Sequence, residues 1–323
     1  MPANLKELRG KIRNVKSTQQ ITKAMKLVSA AKFGRAQQAV TQSRPYYQGM
    51  AALVARLGSQ PALASHRLIQ SQDVDNVLLF VVSSQRGLCG GYNANIAKEA
   101  LAQARALVDA GKRPTVICLG RKAYQLLGPR LAGLGVGSGK ARKQIDEETL
   151  RLLGSSNPEE AEAAFELIEG GLSLLNVPFD RPSIELGRQL GEMFRSVFVS
   201  GLVAEVRVVF SKFGSAISQT PTSLAVLPMQ AGVQGSDGAD DFVFEPTFDE
   251  VISVALPRFL DIQVLQFLKE ALASEHGARM TAMDNATRNA KDMERKYQIR
   301  YQRARQAAIT TELVEIISGA EAL

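Results

Sequence analysis

Apolar residues recur at alternating steps of three and four near the beginning of the chain. This spacing is typical of a coiled-coil helix, and no proline interrupts it before Pro45, where we expect a kink. The predicted seam has two runs with one stutter between them. They are Leu5, Leu8, Ile12 and Val15, and then Ile21, Met25 and Val28.

The far end of the chain carries a second seam of the same spacing. No proline follows Pro257, and small residues in the last turns allow another helix to approach closely. This pattern predicts a second coiled-coil helix. Its seam comprises Met280, Met283, Ala290, Tyr297, Tyr301, Ala304 and Ala308.

Helices over about residues 4–58 and 257–317 would be roughly 80 and 90 Å long, whereas a compact middle has a radius of gyration of roughly 16 Å. Because each apolar seam needs a partner, we predict an antiparallel two-helix shaft closed by a globular domain. The alternative is a bundle of shorter helices, since unbroken helices beyond about 25 residues are unusual. Gly277 is expected to weaken the second arm by about 1 kcal/mol relative to alanine.

Between the arms, apolar strand-like runs alternate with helix-like segments, which indicates a parallel α/β unit. We therefore predict an α/β protein with a long antiparallel two-helix coiled coil and a central Rossmann-like domain. Its parts are a helix at 1–60, an α/β foot domain at 70–245 with an extra helical segment at about 132–176, and a helix at 250–323. The predicted central strands are 77–82, 114–119 and 205–210, and the helices are 93–110, 121–127 and 183–203.

Charge is distributed unevenly along the chain. The sequence holds 39 Lys plus Arg against 32 Asp plus Glu, for a formal net charge of +7. Residues 1–35 hold nine basic residues and one acid, and residues 276–310 hold eight basic and three acidic residues, so the remainder is acidic. Both arms are therefore suited to an acidic partner. The acidic stretch 146–169, with a helix start at Asn157-Pro158, is interpreted as a solvated helical insertion.

Composition excludes several classes of protein. With 45% hydrophobic and 22% charged residues, the chain is globular rather than disordered. Two cysteines are too few for a disulfide framework. The apolar runs are far shorter than the ~20 residues that cross a bilayer, and the first residues lack a signal-peptide core. We expect membrane association only through a partner.

Two glycine-rich segments are candidate phosphate loops. The first, GLCGGYN at 87–93, follows a predicted strand and enters a helix, but a tight turn is favoured because the spacing departs from G-x-G-x-x-G. The second, residues 133–140, is interpreted as a linker because Ala141 stands where magnesium binding requires Ser or Thr. The candidate residues of the first turn are Gly87, Cys89, Gly90 and Gly91.

Histidines and cysteines do not form a recognisable chemical site. His66 and His276 have no ligand-type residues at metal-site spacing, so we interpret them as surface or packing residues. Cys89 and Cys118 would be a redox pair only if the fold brought them together, and free cysteines are more often buried small hydrophobes. We expect no catalytic residue, metal or cofactor.

Longer runs of sequence resemble the gamma subunit of F-type ATP synthases. Leu5–Phe33, with KSTQQITKAMKLVSAAK at 16–32, is similar to the N-terminal arm of that family, as is the GLCGGYN turn. ASE at 273–275, ARMTAM at 278–283 and YQRARQAAITTEL at 301–313 resemble its C-terminal arm. Two distant segments that match in the right order make the resemblance specific, and it covers both arms and most of the middle.

The resemblance implies a rotor subunit with no active site of its own. In that family the coiled coil lies on the axis of an alpha/beta hexamer, and the foot sits with the epsilon subunit on the membrane c-ring. It implies these partners here, no nucleic acid, and a peripheral position on the cytoplasmic face of a bacterial inner membrane. The implied contacts with beta-subunit loops are Met25 and Lys26, and then Arg305, Gln306, Thr310, Glu312 and Glu315.

The sequence departs from the family pattern in three places. His276-Gly277 is expected to loosen the lower shaft. Residues 132–176 look longer than in common bacterial members, and we hypothesise that they contact the peripheral stalk or limit reverse rotation. Residues 229–241 carry no cysteine, so the thiol control of chloroplast members is not expected.

Two other classes of function remain as alternatives. One is a nucleotide-binding α/β enzyme that uses the turn at Gly87, and the failed phosphate motifs argue against it. The other is a basic coiled-coil protein that binds nucleic acid. The chain has no tryptophan and no aromatic residues interleaved with the basic ones, which argues against stacking on single strands.

Overall fold

The structure is a computed structural model that describes residues 5–58, 61–137, 143–230, 244–245 and 247–321. The ends of both predicted arms, part of the 133–140 linker and most of the 229–241 segment lie outside the described residues. The elements in chain order are α1 (Leu5–Leu57), a 3₁₀ turn (Pro61–Ser65), β1 (Asn76–Val82), α2 (Tyr92–Asp109), β2 (Arg113–Leu119), α3 (Arg121–Ala132), β3 (Lys143–Ile145), α4 (Glu147–Leu153), α5 (Pro158–Glu166), β4 (Leu172–Leu175), α6 (Ile184–Val199), β5 (Glu205–Phe213), β6 (Gln219–Leu227) and α7 (Phe248–Glu321).

The terminal segments each form one unbroken helix, of 53 residues in α1 and 74 residues in α7. The two pack against each other, so the prediction of a two-helix shaft is confirmed and the bundle of short helices is wrong. Pro45 lies within α1. α7 begins nine residues before Pro257, the expected start, because the preceding turns are held by the buried side chains of Ile252 and Leu256.

The seam of α1 follows an unbroken three-four spacing, and the predicted stutter is wrong. Thr22 and Ser29 are buried in the seam, whereas the predicted members Ile21 and Val28 are 57% and 59% exposed. Because these seam positions hold small polar residues, the pattern of apolar side chains alone does not reveal the seam. The buried residues of α1 are Leu8, Thr22, Ser29, Ala36, Val40, Val54 and Leu57.

The seam of α7 agrees with its prediction. Met283 and Ala290 are buried, and the other predicted members are half-buried. Half-burial is expected in a two-helix shaft, because only one side of each helix has a partner. These half-buried members are Met280, Tyr297, Tyr301, Ala304 and Ala308.

In the described part of the chain, six strands in the order β3-β4-β2-β1-β5-β6 form the sheet of the α/β domain, and of these only β6 is antiparallel to its neighbour. The central strand β1 is buried along its whole length. Its alternate residues enter two cores, with Phe80 facing α6 and α7 and Val81 facing α2 and α3. The predicted α/β class is confirmed.

The acidic stretch is part of the domain rather than a solvated insertion, which corrects the expectation. It forms α4 and α5 between two strands of the sheet, and Leu150, Leu153 and Phe165 enter the main core. The predicted helix start holds, because the Asn157 side chain accepts a hydrogen bond from the Glu159 amide at 3.2 Å. A regulatory role of residues 132–176 stays a prediction, and deleting them would also remove core.

Several element bounds also differ from those expected. α3 continues five residues beyond 127. α6 ends at Val199, four residues before 203, and the amide of the following Ser200 bonds back to the last turn. β5 is longer than predicted because it pairs with β6, which the sequence pattern did not reveal.

Among the described residues, α7 is the one helix that by length and composition alone is apolar enough to cross a membrane. Of its qualifying stretch, 44% is buried inside the protein. A core helix passes the same test, and α7 packs on α1, α6 and the sheet.

Candidate functional site: the shaft and its free end

Polar contacts along the shaft define how α1 and α7 are aligned. The Arg9 side chain donates to the Tyr301 hydroxyl at 2.8 Å, Lys26 pairs with Asp284 at 2.5 Å, and the Ser43 hydroxyl donates to Gln266 at 2.9 Å. This register places the beginning of α1 opposite about residue 305 of α7. The remaining turns of α7 therefore extend for roughly 24 Å beyond the described part of α1, at 1.5 Å per residue.

This free end, residues 306–321, is rich in apolar side chains, and no described residue covers it from residue 309 to residue 320. Every side chain from Ile309 to Ala320 is exposed. A single helix of this length is marginal in water, and so many exposed apolar residues indicate a surface that another protein covers. Its large apolar residues, 44% to 68% exposed, are Ile309, Leu313, Val314, Ile316 and Ile317.

The structure places five of the predicted partner-contact residues at or beside the free end. All five side chains are exposed, and the Thr310 hydroxyl donates to the Gln306 carbonyl at 2.9 Å within the helix. They are therefore accessible to a partner that surrounds the tip. These residues are Arg305, Gln306, Thr310, Glu312 and Glu315.

Met25 and Lys26 lie on the shaft far from the free end, and both are half-buried. The Lys26 ammonium is already bound to Asp284, whose pKa is lowered by that hydrogen bond and by the charges of Lys26 and Arg288. The sequence could not reveal Asp284 as a partner, because the pairing depends on the shaft register. Met25 borders a cleft of about 990 Å³ between the shaft and the domain.

The glycine-rich turn at 87–91 joins β1 to α2 and packs against the shaft. The Arg279 guanidinium on α7 donates to the backbone carbonyls of Arg86 at 3.2 Å and Gly87 at 3.3 Å. Gly90 has φ +58° and faces Ala282 on α7. The predicted tight strand-to-helix turn is present, and its carbonyls are held by the shaft.

A buried ion pair supports this junction. Arg279 donates to Glu275 at 2.7 Å, and both side chains are about nine-tenths buried. Burial raises the pKa of Glu275, and Arg279 opposes that rise. The neighbouring His276 is buried, and desolvation together with Arg279 lowers its pKa to about 4, so it is a neutral packing residue. The i,i+4 spacing of Glu275 and Arg279 was a usable sequence signal for this pair.

Gly277 tightens the shaft rather than loosening it, which corrects the expectation for His276-Gly277. A Cβ at this position would lie 3.2 Å from the Phe33 ring and 3.3 Å from the Ala216 Cα. Glycine lets α1 and the β5–β6 turn approach α7 this closely, whereas a side chain at this position would push a neighbour back by a few tenths of an ångström.

Cysteine and metal chemistry find no support within the described part of the chain. Cys89 and Cys118 are free and buried, and burial raises the pKa of both thiols. The Asn93 amide donates to the Cys89 sulfur at 3.0 Å, which fixes the start of α2. Across the described residues, no group of three His, Cys, Asp or Glu side chains is arranged to hold a metal ion.

Comparisons with known proteins agree with this geometry. The ATP synthase family matches residues 4–323. The ATP synthase gamma chain of Methylobacterium nodulans is 39% identical over 326 residues, which cover 99% of this chain and all of that relative. The gamma chain of Sinorhizobium medicae is 36% identical over the full length of both chains.

Solved structures show the same fold at lower identity. A chain of the Euglena gracilis mitochondrial ATP synthase, in an assembly of OSCP, F1 and c-ring, matches with a TM-score of 0.59 and 18% identity, covering 98% of this chain and 94% of the other. A chain of the Tetrahymena thermophila central stalk and c-ring matches with a TM-score of 0.54 and 17% identity, covering 82% and 99%. Full-length identity above one third, joined to the two-helix shaft, shows that this chain belongs to the ATP synthase family as a gamma chain.

Proposed function

We propose that this gamma chain is the central rotor shaft of an F-type ATP synthase. It transmits torque between a membrane ring driven by ions and the catalytic alpha/beta head, and it is not itself catalytic. The observation that carries the proposal is the long α1–α7 shaft with an apolar free end that requires a surrounding partner. The relatives named above are gamma chains, and one structural neighbour comes from a central stalk with its c-ring.

The free end and the shaft have distinct tasks in this proposal. The apolar tip turns inside the head, where apolar contact has no preferred angle and so permits rotation. The basic surface of both arms attracts acidic loops of the head without a deep, fixed ion pair. Lys26 fits this scheme because Asp284 already neutralises it, which limits how firmly one partner carboxylate can hold it.

Asymmetry of the shaft supplies the coupling. The two helices present different side chains at each angle, so the three catalytic sites around the shaft contact different surfaces at any moment. The shaft can shift the equilibrium between two conformations of a catalytic subunit only by the difference in free energy of its contacts with those two conformations. Rotation therefore changes the affinity of each site in turn, and no residue of this chain needs to touch the nucleotide.

The foot is the end that we assign to the membrane side. The α/β domain lies at the opposite end of the shaft from the free tip, so it faces the c-ring and the epsilon subunit when the tip enters the head. The complex then lies peripherally on the cytoplasmic face of a bacterial inner membrane. The relatives from Methylobacterium and Sinorhizobium support a bacterial enzyme.

Substitutions at the free end test this function. Gln306→Ala or Thr310→Ala should reduce ATP hydrolysis by the assembled enzyme severalfold, while nucleotide binding to the beta subunit stays largely intact. Thr41→Ala is the matched control, because its exposed hydroxyl makes the same bond to the fourth preceding carbonyl, at 3.0 Å, on α1 far from the free end. Loss of nucleotide binding with normal turnover, or an equal effect of Thr41→Ala, would contradict the assignment.

A further inference from the structure

A concave surface of about 580 Å³ lies beside the shaft, where α1, α7 and the loop before α6 meet. Four cationic side chains from these three parts of the chain line it, and we call this site the cationic cavity. Asp180 is its single acidic lining residue, which leaves three positive charges uncompensated within the cavity. The four cations are Lys32, Arg35, Arg181 and Lys269.

None of these four cations has a carboxylate partner among the described residues, although they line one cavity. Lys26 and Arg279 each have a carboxylate within 2.7 Å, whereas none of the four cavity cations forms a salt bridge to any described residue. Arg35 donates only to the Ala31 carbonyl of its own helix, at 3.4 Å. Like charges that converge on one concavity raise the free energy unless an anion joins them.

Burial deepens this imbalance at the inner side of the cavity. Lys269 is half-buried, and desolvation lowers its pKa. His276 is 7% exposed, and burial together with the charges of Arg279, Lys32 and Arg35 holds its pKa at about 4. Only Asp180 among the groups that face His276 opposes this shift.

The cavity lining also contains apolar side chains, which we call the apolar wall. They are small or aliphatic and come from both shaft helices and from the loop before α6, so the cavity combines charged and hydrophobic groups. Most small-molecule sites combine these two features in a volume of roughly 300–1,000 Å³. The apolar wall consists of Ala36, Ala39, Pro182 and Leu272.

We propose that the cationic cavity binds an oligophosphate anion, either a free polyphosphate or the phosphate chain of a nucleotide. Two arginine forks and two lysines on three elements match the many oxygens of one compact, multiply charged anion. The net charge of the cavity suits a di- or triphosphate better than a single carboxylate. This site is separate from the glycine-rich turn, and it does not depend on the rotor function.

Histidine NMR on the full-length chain tests the proposal directly, because the chain has only two histidines. Bound tripolyphosphate should raise the pKa of His276 by about one unit or more, since a nearby anion stabilises the imidazolium. His66 lines a different cavity and should not shift. An unchanged His276 at about 1 mM tripolyphosphate, which corresponds to at most very weak affinity, would overturn the proposal.

Charge-matched double variants separate a specific site from general attraction to a basic chain. Arg181→Gln with Lys269→Gln should weaken tripolyphosphate binding about tenfold or more, since each lost pair to an anion is worth a large part of one decade. Lys98→Gln with Arg105→Gln removes the same charge from exposed positions on α2 and should change little. Equal weakening by both pairs would refute a built site.

Titration with ATP identifies the form of the anion. Equal affinity for ATP and tripolyphosphate supports recognition of the phosphate chain alone. Binding of ATP about tenfold tighter supports a nucleotide whose base lies on the apolar wall. A shift of His276 caused by a polyglutamate peptide but by neither phosphate would assign the cavity to an acidic protein segment and contradict the proposal.

Discussion

At the scale of single residues, three neighbours on α7 join the shaft to the α/β domain. Gly277 allows the close approach of Phe33 and Ala216, and Glu275 with Arg279 forms the buried pair that holds the glycine-rich turn. Buried charge is stable only while each member keeps its partner. The junction therefore depends on the small volume of Gly277 and on the pairing of the Glu275 and Arg279 charges.

Enlarging Gly277 should destabilise the protein. Gly277→Val forces α1 or the β5–β6 turn to move, and we expect the free energy of unfolding to fall by about 1–3 kcal/mol in urea titrations. Gly49→Val is the control, because nothing lies within 4 Å of a Cβ there and valine is a better helix former than glycine. Equal losses at the two positions would refute tight packing at Gly277.

Removing Arg279 should give a loss of stability that depends on pH. Arg279→Met leaves Glu275 buried and unpaired, and should cost about 3–5 kcal/mol at neutral pH. The pKa of Glu275 in the folded chain is already raised above its usual 4.5, so the folded state holds the proton more tightly than the unfolded chain. The loss should therefore be smallest below about pH 4.5, where mainly the hydrogen bonds from Arg279 to the turn are missing, grow as the pH rises, and level off above the folded pKa.

The double variant Glu275→Gln with Arg279→Met is the control for this prediction. It removes the unpaired charge, so much of the stability should return and the added pH dependence should vanish. Urea titrations of both variants and the unchanged chain between about pH 4 and 8 measure this. A loss in the single variant that is the same at every pH would contradict the role of Glu275.

At the scale of elements, the regular helices and central strands could be predicted from the sequence. The register between α1 and α7 and the edge strands of the sheet could not. Residues 77–82 of β1 are all apolar and buried, so their pattern was sufficient to predict the strand. β3 has three residues and β6 is a partly exposed edge strand with Pro221, so neither has a clear pattern. In α1, Thr22 and Ser29 face α7. An apolar pattern instead predicts that the preceding residues, Ile21 and Val28, do so.

A pair of substitutions checks the seam of α1. Ser29→Phe inserts a ring between the helices and should lower the free energy of unfolding by about 1–3 kcal/mol. Val28→Phe lies on the exposed side and should change it by less than about 0.5 kcal/mol. Urea titrations measure both free energies of unfolding. A larger loss for Val28→Phe than for Ser29→Phe would support the predicted seam with a stutter.

At the scale of the whole molecule, the candidate site follows from the different lengths of the two arms. The apolar tip exists because α7 continues beyond the part that α1 covers. Sequence resemblance pointed to Gln306 and Thr310, but only the shaft register explains why they are accessible and why Lys26 is not a free cation. Such long-range pairings are invisible to local patterns.

Truncation should distinguish the free tip from the paired shaft. A chain ending at residue 309 should keep the hydrogen-exchange protection of residues 8–15, because the removed tip contacts no described residue of α1. A chain ending at residue 296 loses Tyr297 and Tyr301, the partner of Arg9, and should exchange faster there. Faster exchange of residues 8–15 in the chain that ends at residue 309 would contradict the register.

The change from two helices to one also makes the elasticity of the molecule uneven. A paired section has a broader cross-section than a single helix, so it resists bending and twisting more strongly. Under load, deformation is therefore concentrated in the last roughly 24 Å, while the section joined to the foot turns almost as a rigid body. The tip is then the elastic part of the proposed rotor. It smooths the stepwise transfer of torque between the stiff paired section and the three catalytic sites.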